Sequence, residues 1–292
     1  MSRPTRVVTD TMAGLSMPDH AILSPCVATV LGRNPGPFTG PGTNTYLVGT
    51  GRRPVLLDTG AGLPIYDGLL ATGLGEMRGA HELQQIVLTH VHQDHIGGAA
   101  QVRARYGDLR VTKRHWPGKD DAYDLPFDFV DDGAIVRTDG ATLRAVHTPG
   151  HALDHLCWYL EEEKALFTGD VVLGAGTTIV PEEGGGLGDY MASLRRLLTL
   201  DLAVIYPAHG PAISDPYRKL QDYIAHRELR EQQILEALRS GPATVEALVL
   251  RIYVDTPAFL HAAAANSVRS HLAKLQREGR AGPADGHWHL AS

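Results

Sequence analysis

The 292-residue chain predicts an α+β protein: two similar β halves stacked as a sandwich and covered by helices, an αββα arrangement, with a small helical domain behind it. Three observations predict this. A strand–turn–strand pattern closed by Thr, Gly and Asp occurs twice. Between residues 28 and 213, apolar runs of strand length alternate with amphipathic stretches of helical spacing. From Asp215 the β signal almost vanishes.

Tyr46-Leu47-Val48 and Pro54-Val55-Leu56-Leu57 flank Gly49-Thr50-Gly51, which reads as a hairpin ending in Asp58-Thr59-Gly60. Leu156 to Leu160 and Ala165-Leu166-Phe167 flank Glu161-Glu162-Glu163-Lys164, and this second hairpin ends in Thr168-Gly169-Asp170. The pair is a weak internal repeat. Helices are expected from Pro64 to Thr72, Gly97 to Tyr106 and Asp189 to Leu200, with Gly97-Gly98 bending the chain into the second. Residues 1–25 are polar and expected to be loosely docked. Glu182 to Gly188 reads as a flexible linker; its triple Gly lacks the preceding strand and the Lys of a phosphate loop.

The expected domains are residues 1–213 and 214–292. In the second, Asp215 to Arg239 reads as a long helix or a helix pair, broken by Gly241-Pro242. Ala243 to Glu246 opens another helix with Thr244 as cap, and Asp255-Thr256-Pro257 opens a third running to Glu278. Gly279 to Pro283 and His287 to Leu290 can form a hairpin. Three helices and a hairpin make a winged-helix-like pattern. Arg269, Lys274, Arg277 and Arg280 fall along or just after its third helix, the element that enters a nucleic-acid groove in many such domains. The alternative is a solvated basic face, a lid or a dimer contact.

Composition bounds the class. The chain is 43% apolar and 21% charged, as in an ordinary globular protein. No apolar run reaches the roughly 18 residues of a membrane span, and no secretory signal is read at Met1 to Arg6. Cys26 and Cys157 cannot build a disulfide framework, so a reducing cytoplasm is expected. The net charge of −6 argues against broad electrostatic capture of nucleic acid, although residues 215–292 balance at +1. An oligomer is compatible with the sequence.

Thr89-His90-Val91-His92-Gln93-Asp94-His95 follows the apolar run Ile86-Val87-Leu88. It offers four potential metal ligands, His90, His92, Asp94 and His95, within six positions, more than one catalytic ion needs from a single segment. With 15 histidines in the chain, close pairs arise by chance; four ligands at one strand end do so far less readily. His147-Thr148-Pro149-Gly150-His151, Thr168-Gly169-Asp170 and Pro207-Ala208-His209-Gly210 add candidates, each at a turn after a strand.

Together these segments resemble the metallo-β-lactamase superfamily: His90, His92, Asp94, His95, His151, Asp170 and His209 match its seven metal-ligand positions in order. With Leu56 to Gly60, the resemblance runs from about residue 28 to residue 213. Asn34 to Pro37, Gly42 to Gly49, and His226-Arg227 through Arg230 to Leu235 are similar to the lactamase-beta-like protein 2 family. That resemblance implies a hydrolase fold joined to a C-terminal helical domain, and an endoribonuclease on single-stranded RNA. Fungal polyketide thioesterases share the same motifs.

His90 and His92, two apart, point the same way in an extended segment and can hold one ion with His151. Asp94 and His95 can hold a second with His209, and Asp170 can bridge. Two ions about 3.5–4 Å apart would lower the pKa of a shared water toward about 7. Asp94 and His155 are the expected proton-handling residues. Asp58 is expected to orient a ligand histidine. Asn44 and Thr45 read as a turn with no derivable role. No Cys stands at a ligand position, so zinc, manganese and iron all suit the site, with zinc first by family. The expected function is a dinuclear metal-dependent endoribonuclease. The alternatives are a thioester hydrolase of the glyoxalase-II or polyketide-releasing kind, acting on a small thioester, and a non-enzymatic regulator.

Overall fold

The structure, a computed structural model, describes residues 12, 14–254, 256 and 261–291, without the side chains of Met77 and Arg78. The chain runs β1 (His20–Ile22), β2 (Val27–Leu31), β3 (Asn44–Val48), β4 (Val55–Leu57), α1 (Pro64–Arg78), β5 (Ile86–Val87), α2 (Gln93–Ile96), α3 (Ala99–Tyr106), β6 (Val111–Lys113), β7 (Phe127–Phe129) and β8 (Ile135–Thr138). It continues through β9 (Ala141–His147), β10 (Leu156–Leu160), β11 (Ala165–Gly169), α4 (Gly186–Leu197), β12 (Val204–Pro207), α5 (Pro216–Arg239), α6 (Val245–Ile252), α7 (His261–Arg277), β13 (Ala281–Ala284) and β14 (His287–Leu290).

Strands β1 to β7 form one sheet in chain order, antiparallel as far as β4 and parallel from β4 onward. The second sheet has the order β12-β11-β10-β9-β8, with only β11–β12 parallel. The repeat is visible here. The hairpins β3–β4 and β10–β11 each pass on to a parallel neighbour, β5 and β12.

Side-chain alternation separates the layers. Leu156, Trp158 and Leu160 of β10 pack against Tyr46, Val48 and Leu57 of the first sheet. Cys157 and Tyr159 pack the other way, with Tyr190, Leu194 and Leu220 of α4 and α5. Leu47 and Leu56 face Leu70 and Leu74 of α1. The result is the αββα sandwich. Helix α1 extends past Thr72 because Leu74 continues its buried stripe, and it stops at Gly79 in the left-handed conformation (φ 56°).

One expectation needs correction. The Gly-rich stretch is not a flexible linker: Glu182–Gly184 forms a 3₁₀ turn and Gly186 opens α4. A Cβ at Gly184 would sit 2.2 Å from the His151 carbonyl oxygen, so close packing against a site loop requires glycine there. Of the two readings of Asp215 to Arg239, the single long helix holds: α5 runs from Pro216 to Arg239 behind Asp215 as its N-cap, and it serves two cores. Leu220 and Tyr223 belong to the sandwich, whereas Ile234, Leu235 and Leu238 belong to the C-terminal domain with Leu248, Val268 and Leu272.

Thr244 caps α6, its Oγ1 accepting from the Ala247 N–H at 3.2 Å. The expected start of the third helix lies outside the described residues apart from Thr256, and α7 runs from His261. Strands β13 and β14 form the hairpin. No helix among the described residues is long and apolar enough to cross a membrane.

Trp158 is fully buried between the sheets, and its indole N–H donates to the Leu88 carbonyl at 3.1 Å, just before the ligand segment. Trp158→Ala should cost about 4 kcal/mol, read by chemical denaturation; a loss under about 1 kcal/mol would show that the sheets do not depend on it.

Candidate metal centre

Every candidate ligand leaves a strand end or the first turn beyond one. His90 and His92 follow β5, Asp94 and His95 lie in α2, and His151 follows β9. Asp170 directly follows β11, and His209 follows β12. The two sheets deliver them to one edge of the sandwich.

The seven groups form two halves. In one, His90 Nε2 and His151 Nε2 lie 2.8 and 3.0 Å from His92 Nδ1. In the other, Asp94 Oδ2 is 3.2 Å from His209 Nε2 and 3.5 Å from His95 Nε2. Asp170 spans them: Oδ1 is 3.1 Å from His209 Nε2 and 3.4 Å from His95 Nε2, and Oδ2 is 3.4 Å from His151 Nε2. Each trio, His90/His92/His151 and Asp94/His95/His209, converges closely enough to hold one ion.

The donor chemistry fits a pair of cations. His95 Nε2 and Asp170 Oδ1 are buried and make no hydrogen bond of good geometry, only ion-pair contacts of 3.1–3.5 Å within the cluster, and such convergent buried ligand atoms are what a cation would occupy. Burial, reinforced by neighbouring imidazoles, holds His90 and His155 well below the usual histidine range, His92 down at about 4, and His151 below normal. Neutral imidazole is the form that binds metal. Burial also opposes charge on His209, but Asp170 and Asp94 carry it up to about 9. His95 is raised well above normal against the same burial by Asp94, Asp58 and Asp170. One half is therefore neutral and the other internally ion-paired.

The supporting groups come from several elements. Asp58, fully buried and held at φ 58°, accepts the Thr89 backbone N–H on Oδ1 at 2.8 Å. Its Oδ2 lies 2.9 Å from Thr89 Oγ1 and 2.7 Å from His95 Nδ1. With Nδ1 held there, His95 turns Nε2 to the cleft. His151 Nδ1 is fixed by the Ile179 carbonyl at 2.8 Å, which leaves its Nε2 inward.

His155 requires a correction. It is fully buried behind the cluster, not facing substrate space. Its Nε2 accepts the Asp170 backbone N–H at 3.2 Å, so Nδ1 carries the proton and donates to Thr148 Oγ1 at 2.9 Å. Both nitrogens are engaged; the residue positions Asp170 and is not a proton donor. Gly169 (φ 47°) completes the fit, since a Cβ there would lie 2.6 Å from His155 Nε2.

Asn44 has a role that its sequence context hides. It begins β3, and its Nδ2 donates to the carbonyls of Pro207 and Gly210 at 2.9 and 2.8 Å, clamping the His209 loop. Tyr223 was likewise missed: its hydroxyl accepts from Leu173 N–H at 3.0 Å and donates to the Gly176 carbonyl at 2.8 Å, holding the loop after Asp170. The basic residues of α7 are engaged elsewhere. Lys274 and Arg280 pair with Glu231 and Glu278, Arg269 pairs with Glu246, and Arg277 lies against Gly186 of α4.

Residues 38–209 match the metallo-β-lactamase superfamily. The chain belongs to that superfamily. Residues 244–288 match the β-lactamase-associated winged helix domain. The chain is similar to the β-lactamase-like protein 2 homolog of Caenorhabditis elegans, at 40% identity over 88% of this chain and 86% of that protein. It is similar to the atrochrysone carboxyl ACP thioesterase of Aspergillus novofumigatus, at 40% identity over 82% of this chain and 74% of that one. A solved metallo-β-lactamase family protein from Thermus thermophilus superposes with TM-score 0.75 at 26% identity, covering 92% of this chain and all 100% of the other. The chain is thus a hydrolase of this superfamily, with a cluster compatible with two metal ions.

Asp58→Asn keeps the shape of the side chain but removes the charged acceptor behind His95. It should weaken divalent-ion affinity about 10–100-fold, the range for groups that support ligands, in a chelator competition titration; unchanged affinity would remove Asp58 from the site.

Proposed function

We propose that the chain is a dinuclear metal-dependent thioesterase acting on a small thioester. The space around the cluster carries the reading. A cavity of about 420 Å³ lies between the sandwich and the C-terminal helices and reaches His151 and Asp170. Leu173, Val180, Leu187 and Tyr253 are among its walls. On the other side of His151 a second cavity of about 270 Å³ begins at His92, Trp116 and Tyr123. His151 borders both. Partly open, partly apolar clefts on either side of a reactive centre suit an acyl group and its thiol. The thioesterase relative supports the same reading.

His90, His92 and His151 would hold one ion, Asp94, His95 and His209 the other, and Asp170 both. Zinc is the proposed metal, with manganese and iron accommodated by the same nitrogen and oxygen donors. Bound, two such cations lower the pKa of water and neutralise charge on the attacked carbonyl. Asp94 is the more exposed of the two carboxylates, at 26% against 13% for Asp170. Its contacts with Thr43, His95 and His209 all fall on Oδ2, so Oδ1 is placed to take a proton from water. Asp170 stays among the imidazoles. Cys26 and Cys157 are both buried and in no disulfide, in keeping with a reducing cytoplasm.

The second reading is an endoribonuclease on single-stranded RNA. The associated winged helix domain favours it; the carboxylate partners of Arg269, Lys274 and Arg280 weigh against it.

Protein loaded with zinc or manganese should hydrolyse an acyl-coenzyme A or lactoylglutathione and leave labelled single-stranded RNA intact. Cleavage of RNA alone would replace the thioesterase with the nuclease. Asp170→Ala should lower kcat at least about a hundredfold, the upper end of what even supporting groups cost, with an unchanged circular dichroism spectrum. Full activity in that variant would refute the bridging role.

A further inference from the structure

A second set of side chains in the interdomain cavity takes no part in the metal cluster. His226, Arg227 and Arg230 lie on α5 within an arc of about 100°, and α7 brings Ser270 and His271 to the same space. Arg227 is 5% exposed, and its Nη2 donates to the Thr178 carbonyl at 2.5 Å. Arg230 donates to Gln233 Oε1 at 2.8 Å and lies 4.4 Å over the Tyr253 ring. Among the described residues, neither guanidinium has a carboxylate partner.

Nε of both arginines, Nδ1 of His226, Oγ of Ser270 and both ring nitrogens of His271 are buried without a hydrogen-bond partner. Ser270 and His271 are only 3% and 1% exposed. Buried donors left without acceptors are costly, and one compact anion can take the Nε–H of both arginines, the Ser270 hydroxyl and the one N–H of His271. Burial and the nearby arginines hold His226 at about 4 and keep His271 well below the usual range. Both imidazoles are therefore neutral and can each present an N–H. The carboxylate that borders the cavity among the described residues is Asp170, at the cluster end.

We propose that the α5–α7 end of this cavity is an anion subsite that receives a carboxylate or phosphate carried by the thioester substrate, with Arg227 and Arg230 supplying charge and Ser270 and His271 supplying hydrogen bonds. The inference rests on the thioesterase reading and gives the substrate a direction. Its anion lies between α5 and α7, and its thioester carbonyl lies at His151 and Asp170. The anion can belong to the acyl group, as in a dicarboxylic acid thioester, or to the thiol, as in a phosphopantetheine.

The test uses metal-loaded wild type, Arg230→Gln and Arg227→Gln. Glutaryl and pentanoyl thioesters of N-acetylcysteamine are compared, as are pentanoyl thioesters of N-acetylcysteamine and phosphopantetheine. In parallel, the metal-stripped proteins are titrated calorimetrically with glutarate and with inorganic phosphate. The wild type should prefer one anionic substrate by at least about tenfold in kcat/KM, the effect of one charge-assisted hydrogen bond. Both variants should bring that ratio close to one and lose anion binding. Preference for glutaryl places the anion in the acyl group; preference for phosphopantetheine places it in the thiol. Should Arg227→Gln lose its folded far-UV signal, the half-buried Arg230 decides. Equal rates on all substrates, or variants that bind anions like the wild type, overturn the subsite. Anion binding lost in the variants, with no thioester hydrolysed by any protein, keeps the subsite and removes the thioesterase reading.

Discussion

A single buried carboxylate sets the geometry on which the centre depends. Asp58 lies at the end of β4, Thr89 beyond the end of β5, and His95 in α2, and these three are tied by contacts of 2.7–2.9 Å with no exposure to water. Hydrogen bonds to a buried charged group are worth about 1.5–3 kcal/mol each, and an orphaned partner costs a comparable amount. That is enough to hold Asp58 in a left-handed backbone conformation (φ 58°) that a non-glycine residue seldom adopts. The strain and the bonds balance locally, and the product is a ligand segment whose imidazoles cannot turn away.

The same logic operates around the rest of the cluster. His155 holds the Asp170 backbone, Asn44 holds the His209 loop, and the Ile179 carbonyl holds His151. Each support comes from a different element than the ligand it fixes. The centre is therefore a property of the packed sandwich, and no ligand loop carries it alone. Trp158, reaching from β10 to the Leu88 carbonyl, joins the two sheets immediately beneath the ligand segment.

Much of this was legible in the sequence, and the boundary of legibility has a physical cause. The seven candidate ligands could be read because chemistry restricts metal ligands to few residue types and because strand ends, marked by Gly and Pro, expose them. The sandwich was legible from the repeated hairpin, β3–β4 and β10–β11, each closed by Thr, Gly and Asp. Supports that act through a carbonyl or hydroxyl were not. Asn44, Thr89 and Tyr223 look ordinary in sequence, and their partners lie 31 to 166 residues away or in an adjacent loop. His155 was misjudged for the same reason: a histidine beside a ligand loop gives no sign of which side of the sheet it faces. The glycines at 182–188 were misread because close packing against His151 and flexibility leave the same residue type.

Helix α5 explains why the C-terminal domain belongs in any account of the site. Tyr223, in its first half, fixes the loop that follows Asp170; Ile234 and Leu235, in its second half, are core residues of the C-terminal domain. His226, Arg227 and Arg230 lie between those anchors on one continuous helix. At 1.5 Å of rise per residue, Tyr223 and Arg230 are only about 10 Å apart along the axis. The distance from the metal cluster to the arginines is thus set by a rigid element with each end buried in a different core. A cavity built this way has a fixed length, and a fixed length between a charge and a reactive centre is what lets an enzyme select a substrate by where its anion sits.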